Sequence, residues 1–256
     1  SGDMILGALI DAGLNPNLLL KELSKLSIEG LSIDTNHAMR KGISCKRVRV
    51  KICNKNIDFE DEHLLQTPID KKNSTKETSS DHTKFSHPNK IINFIQESDL
   101  KPTVRKKSIA IFQRLINAEA SVHGCDSNDV HLHEVGTIDA IVDVVGSVIG
   151  LDLLQIDKVF SSPLYLGTGF VSCAHGRYPV PVPGVLELCK NIPCIQTDIR
   201  EELVTPTGAA IITTLACSFD SIPVFQQKGI GYGAGSRDLK EQPNVLRVRL
   251  GELSAK

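Results

Sequence analysis

Hydrophobic positions recur along this chain with two different periods, and the switches between them mark out its elements. SGDMILGALIDAG is apolar almost throughout; Ser1 or Asp3 can cap a helix over roughly 4–13, which Gly13 stops. Asn15 and Pro16 supply a cap and a first-turn proline for a second helix reaching about Leu26. Between 31 and 52 the period drops to two. Val48, Val50 and Ile52 alternate with Arg47, Arg49 and Lys51, which predicts two strands turning at Lys41-Gly42 and a solvated basic face. Residues 54–87 show no period and few apolar groups, the pattern of a mobile polar insert. Helical spacing returns from Pro88 to about Ser98, from Pro102 to His123-Gly124, and from Ile138 to Leu154.

The remainder mixes both periods. DKVFSSP and YLGTGFVSC read as short strands, YPVPVPGVLELCKN runs through prolines into a helix, and TPTGAAIITTLACS is a helix. GIGYGAG reads as a glycine loop and NVLRVRLGE as a closing strand. Interleaving of this kind predicts an α/β fold, with α+β left open: a mixed sheet with helices packed on it and a small strand-pair lobe near 31–53. The expected organisation is 1–53 as helices and strand pair, 54–87 as insert, and 88–256 as the main body, with the first and last able to form one domain.

Composition narrows the function classes. The 256 residues carry a formal charge of −1, 41% apolar residues, 4% aromatics and no Trp. Neutral charge offers no general attraction to nucleic acid or anionic membrane, and stacking platforms for single strands are scarce. Seven single cysteines without a CxxC pair fit neither a disulfide framework nor a zinc ribbon, so a reducing cytoplasm is expected. No apolar run reaches membrane-spanning length. There is no Walker A sequence, no Gly-x-Ser-x-Gly elbow, and no G-x-G-x-x-G spacing in the glycine run.

The chemistry concentrates in HLHEVGTIDAIVDVVG, residues 131–146. Thr137 caps a helix that is apolar nearly all round, hence buried, except for a stripe of Asp139, Asp143, Gly146 and Gly150. Asp139 complements the helix dipole, but Asp143 lies a turn further in and needs a proton or a cation. If 131–134 runs extended, His131 and His133 face one way and Glu134 the other. Imidazole and carboxylate donors suit Ni, Zn or Fe, so His131, His133, Glu134, Asp139 and Asp143 are candidate metal ligands. A capped helix with a structural Asp–Arg or Asp–His pair explains the same residues. Asp3, Gly7 and Asp11 repeat the stripe on the first helix: either a shared pocket with Asp3 and Asp11, or close packing with solvated aspartates. Thr205, Thr207 and Gly208 open a helix whose free N–H groups can hold an anion. His175 sits in a loop beside Gly176 and Arg177. A metal-dependent hydrolase is the alternative that this cluster alone allows.

Taken in order, SGDMILGALIDAG, VHLHEVGTIDAIVDVVG, SSPLYLGTGFVSCAHGRYPVPVPGVLEL, ELVTPTGAAII, GIGYGAG and PNVLRV resemble the LarC family of nickel insertion proteins, over nearly the whole chain except 54–87. The resemblance implies a lyase-type nickel chelatase. It would insert Ni²⁺ into pyridinium-3,5-bisthiocarboxylic acid mononucleotide in a CTP-dependent reaction, forming Ni–S and Ni–C bonds and releasing CMP and pyrophosphate. The product is the nickel-pincer cofactor of lactate racemase. His131, His133, Glu134, Asp139 and Asp143 carry over as the metal side, and His175, Thr205, Thr207 and Gly208 as the substrate side. Two departures stand out: scattered His63, His82 and His87 replace a histidine-rich tract, and the chain matches only the N-terminal part of the family. CTP, with Mg²⁺ or Mn²⁺, is therefore expected on a C-terminal domain of the same protein, without which insertion should not go to completion. A lactate racemase-type apoenzyme and a second copy of the chain are the other partners considered, and a non-catalytic nickel- or cofactor-binding module is the alternative that the resemblance leaves open.

Overall fold

A computed structural model describes residues 1–52, 85–132, 135–173, 175–240 and 242–253. His133 and Glu134, and residues 54–84 of the expected insert, lie outside them. Helix α1 (Gly2–Asp11) leads to α2 (Pro16–Leu23), where Asn15 accepts from the Asn17 N–H at 2.9 Å, and then a 3₁₀ turn, Ser24–Leu26. Strands β1 (Leu31–Arg40) and β2 (Ile43–Ile52) form the expected hairpin, turning through Lys41 and Gly42, both at positive φ. Arg49 stands opposite Asp34 in the register and Lys51 pairs with Asp34 at 2.6 Å, so the basic row is partly neutralised on its own sheet. Helices α3 (Pro88–Gln96) and α4 (Pro102–His123) both begin with proline, and α4 ends at Gly124 in the left-handed region. Helix α5 (Ile138–Leu153) follows Thr137, whose Oγ1 accepts from the Ala140 N–H at 3.2 Å.

Short elements fill the next stretch: β3 (Val159–Phe160), β4 (Leu164–Leu166), β5 (Phe170–Cys173), β6 (Gly176–Pro179), α6 (Pro183–Leu188) and β7 (Cys194–Gln196). Helix α7 (Pro206–Leu215), β8 (Ala216–Ser218), β9 (Phe225–Ala234) and β10 (Val245–Leu253) complete the order. The main sheet runs β1-β2-β9-β10, with β2 parallel to β9 and both outer pairs antiparallel, so it is mixed as expected. It is the β2–β9 pairing that joins the N-terminal hairpin to the C-terminal strands. The fold is α/β.

The GIGYGAG run is not a loop but the second half of β9. Its glycines alternate along the strand, and α1 lies directly on that bare backbone. A Cβ at Gly231 would collide with Ala8 and Ala12, and one at Gly233 with the Met4 carbonyl and the Ala8 amide. No side chain separates helix from sheet there. On its other side α1 meets α5, the most deeply buried helix, through Leu6 against Gly146 and Leu9 against Gly150. The core continues through Leu19, Leu23, Ile91, Ile111, Phe112 and Leu115, all fully or nearly fully buried. Among the described residues no helix is long and apolar enough to cross a membrane.

Candidate functional site

Seating α1 between sheet and α5 brings three aspartates together. Gly2 lies against Asp143; a Cβ at Gly2 would fall on the Asp143 carboxylate. Asp143 is 7% exposed, and its Oδ1 has no hydrogen-bond partner. The Asp3 backbone N–H donates to this carboxylate. Burial, and then the nearby charges of Asp139 and Asp3, push the Asp143 carboxyl well above the usual carboxylate range. Asp139, one turn earlier and exposed, is also pushed up, by desolvation and then by the charge of Asp3. Its water contact screens that effect, so the unfavourable charge rests chiefly on Asp143. Asp3 itself accepts from the Met4 N–H at 2.8 Å and from the Ser1 hydroxyl.

The third wall is the start of α7. Thr205 Oγ1 accepts from the Gly208 N–H at 3.3 Å, and Gly208 has no side chain where Ser1 passes: a Cβ there would lie 3.1 Å from the Ser1 nitrogen. The start of α7 therefore meets the start of α1 at Ser1, and Asp3 and Asp139 lie in the first turns of α1 and α5, where the positive end of each helix dipole favours a carboxylate. Thr207, half-buried, occupies the same turn of α7.

Other expected residues are placed elsewhere. Asp11 closes the far end of α1, about 12 Å along the helix from Asp3 by helical rise. There Oδ2 accepts from the Tyr232 N–H at 2.9 Å, which ties helix to sheet at the end away from Asp3. His131 is exposed and its ring packs against His87 at 4.9 Å rather than meeting Asp143. His175 lines a small cleft of about 80 Å³ between the end of α4, the β5–β6 hairpin, the start of α6 and Pro206. Its ring lies 4.8 Å from His123, and His123 approaches Glu119 at 3.6 Å. The sequence marks His123 only as the end of a helix and does not single out Glu119; their i, i+4 spacing is the signal it offers. Among the described residues no group of three His, Cys, Asp or Glu side chains is already assembled in metal-holding geometry.

Comparison with known proteins adds an independent line. The family model described as nickel insertion protein matches residues 1–256. A pyridinium-3,5-bisthiocarboxylic acid mononucleotide nickel insertion protein of Desulfitobacterium hafniense (strain DSM 10664 / DCB-2) is 41% identical over 254 residues, covering 99% of this chain and 56% of its own length. The protein of the same name from Geobacillus kaustophilus (strain HTA426) is 40% identical over 252 residues, 98% of this chain and 57% of its own. That of Acetivibrio thermocellus is 41% identical over 263 residues, covering 100% and 59%. The chain thus spans a little over half the length of these relatives. No solved structure matches it.

Proposed function

Because this chain belongs to the nickel insertion protein family, we propose that it serves the nickel-handling part of a cytoplasmic nickel chelatase, acting on pyridinium-3,5-bisthiocarboxylic acid mononucleotide. The observation that carries the nickel reading is the buried, unpartnered Oδ1 of Asp143 beside Asp139 and Asp3. A carboxylate in that setting is relieved by a cation, and a divalent ion shared with Asp139 and Asp3 relieves all three at once. Oxygen donors alone bind nickel less firmly than imidazole or thiolate does, which suits an ion that must be passed on. The substrate phosphate would rest on the first turn of α7, at Thr205, Thr207 and Gly208, where backbone N–H groups and the helix dipole favour an anion.

In the reaction proposed, Ni²⁺ would form Ni–S bonds to the thiocarboxylates and a Ni–C bond to the pyridinium ring, whose carbon gives up its hydrogen as a proton while nickel stays divalent. CTP, with Mg²⁺ or Mn²⁺, is assigned to the portion of the longer relatives that this chain does not span, and a lactate racemase-type apoenzyme would receive the product. Nickel titration by calorimetry tests the aspartate reading. Asp143→Ala should weaken the aspartate-site binding by tenfold or more, a loss of about 1.4 kcal/mol. Unchanged affinity would remove Asp143 from the site.

A further inference from the structure

We propose that the cleft beside α4 is a second metal site, a receiving station for a borderline divalent cation, with Glu119, His123 and His175 as its ligands. It rests on the nickel reading only for the identity of the ion. The donors come from two separate elements: Glu119 and His123 from the last turns of α4, and His175 from the connection between β5 and β6.

Ring spacing is the first argument. A metal–nitrogen bond of about 2.0–2.1 Å places each imidazole centroid roughly 3.2 Å from the ion. Two such rings on one ion, at ligand angles between square and tetrahedral, then stand about 4.5–5.2 Å apart. His123 and His175 stand 4.8 Å apart, with their planes inclined at 48°. Glu119 supplies a carboxylate 3.6 Å from the His123 Nε2, on the same helix face. Gly184 at the start of α6 leaves room for it, since a Cβ there would come within 3.2 Å of Glu119 Oε1. Tyr178 lies nearly parallel to His175, 12° between planes and 6.2 Å between centroids, and backs that ring.

Charge and access agree. Glu202 lines the same cleft, so two carboxylates and no lysine or arginine face the imidazoles among its lining residues. Cys173, also in the lining, adds a sulfur donor that hard cations would not favour. Side-chain exposures of 29% for His123 and 21% for Glu119 leave the donors reachable from solvent, as an entry site requires, whereas Asp143 is buried. As placed, no three of these side chains form a group that could hold a metal ion, so the proposed site requires Glu119, His123 and His175 to rotate onto the ion as it binds. The His87–His131 pair has a similar ring spacing of 4.9 Å, but both residues are exposed on the surface rather than walled by a cleft.

Nickel chloride alone is the probe. Calorimetric titration of the wild type should show one more equivalent of bound Ni²⁺ than His123→Ala, His175→Ala or the double variant, each checked for an unchanged thermal midpoint. Carbethoxylation of the wild-type protein, mapped by mass spectrometry, provides a readout that no substitution can spoil: nickel should abolish labelling of His123 and His175 together. Full stoichiometry in a folded double variant, or labelling of both histidines unaffected by nickel, overturns the proposal. Asp143→Asn separates the two readings, because it should leave the histidine equivalent intact. If Asp143→Asn binds nickel like the wild type while the histidine variants lose one ion, the aspartate reading fails and the cleft site stands.

Discussion

Gly233→Ala places a methyl group where β9 touches α1. The added carbon would overlap the Met4 carbonyl oxygen and sit 2.6 Å from the Ala8 nitrogen, both backbone atoms that cannot rotate away. Relief requires α1 to rise from the sheet, and overpacking of this kind costs about 1–3 kcal/mol, sometimes more. For a chain of this size each kcal/mol lowers the melting temperature by roughly 2–4 °C, so a fall of about 2–12 °C is expected. Gly229 provides a control on the same strand. A Cβ there would meet Ala12 and Leu250 at 3.7 Å, an ordinary contact. Gly229→Ala should be neutral, or gain up to about 1 kcal/mol from a less flexible unfolded chain. Thermal unfolding followed by circular dichroism compares the two. Since α1 also carries Gly2 and Asp3, Gly233→Ala should weaken nickel binding at the aspartates while Gly229→Ala leaves it alone. Equal stability of the two variants would show that α1 is not seated on the strand backbone as described.

Two further outcomes follow from shifted protonation. Asp143 holds its proton more tightly when folded than when unfolded, so its contribution to stability is complete below the ordinary aspartate range near 3.9 and is lost as pH rises through its folded value. Metal-free Asp143→Asn should therefore exceed the wild type in urea midpoint at pH 8 by an amount equivalent to about 1–3 kcal/mol, with the gap closing toward pH 4; a wild type equally stable at pH 8 would contradict the buried charge. Burial, then the adjacent Cys194, pushes the Cys189 thiol up to about 12, whereas Cys125 and Cys217 are exposed. Iodoacetamide at pH 8 should accordingly spare Cys189 in the folded protein and label Cys125 and Cys217, and early labelling of Cys189, read by mass spectrometry, would refute this.

Local chemistry was legible and long-range seating was not. Thr137, Thr205, Asn15-Pro16, Pro88 and Pro102 each marked a helix start because a cap acts within three residues of itself. Asp143 stood out because a carboxylate on an otherwise apolar helix has few harmless explanations. The glycine run misled because its composition is that of a loop; it is a strand because it pairs with β10, and its glycines admit α1, more than two hundred residues away, against its bare face. The Asp11 contact was hidden for a related reason: its carboxylate accepts from the Tyr232 amide, which no spacing along the first helix could reveal. Pairing of His175 with His123 depends on how β5–β6 folds against α4, so neither residue alone announced the cleft.

Thr205 to Gly208 form a partition with a compartment on either face: Pro206 borders the histidine cleft, and Gly208 abuts the segment that leads to Asp143. An anion drawn onto that single turn would be felt in both chambers, and by linkage whatever it does to a cation's hold, the cation does in return to the anion's. Loading order then becomes a property of one stretch of backbone shared by two neighbours, with no moving domain required to connect them.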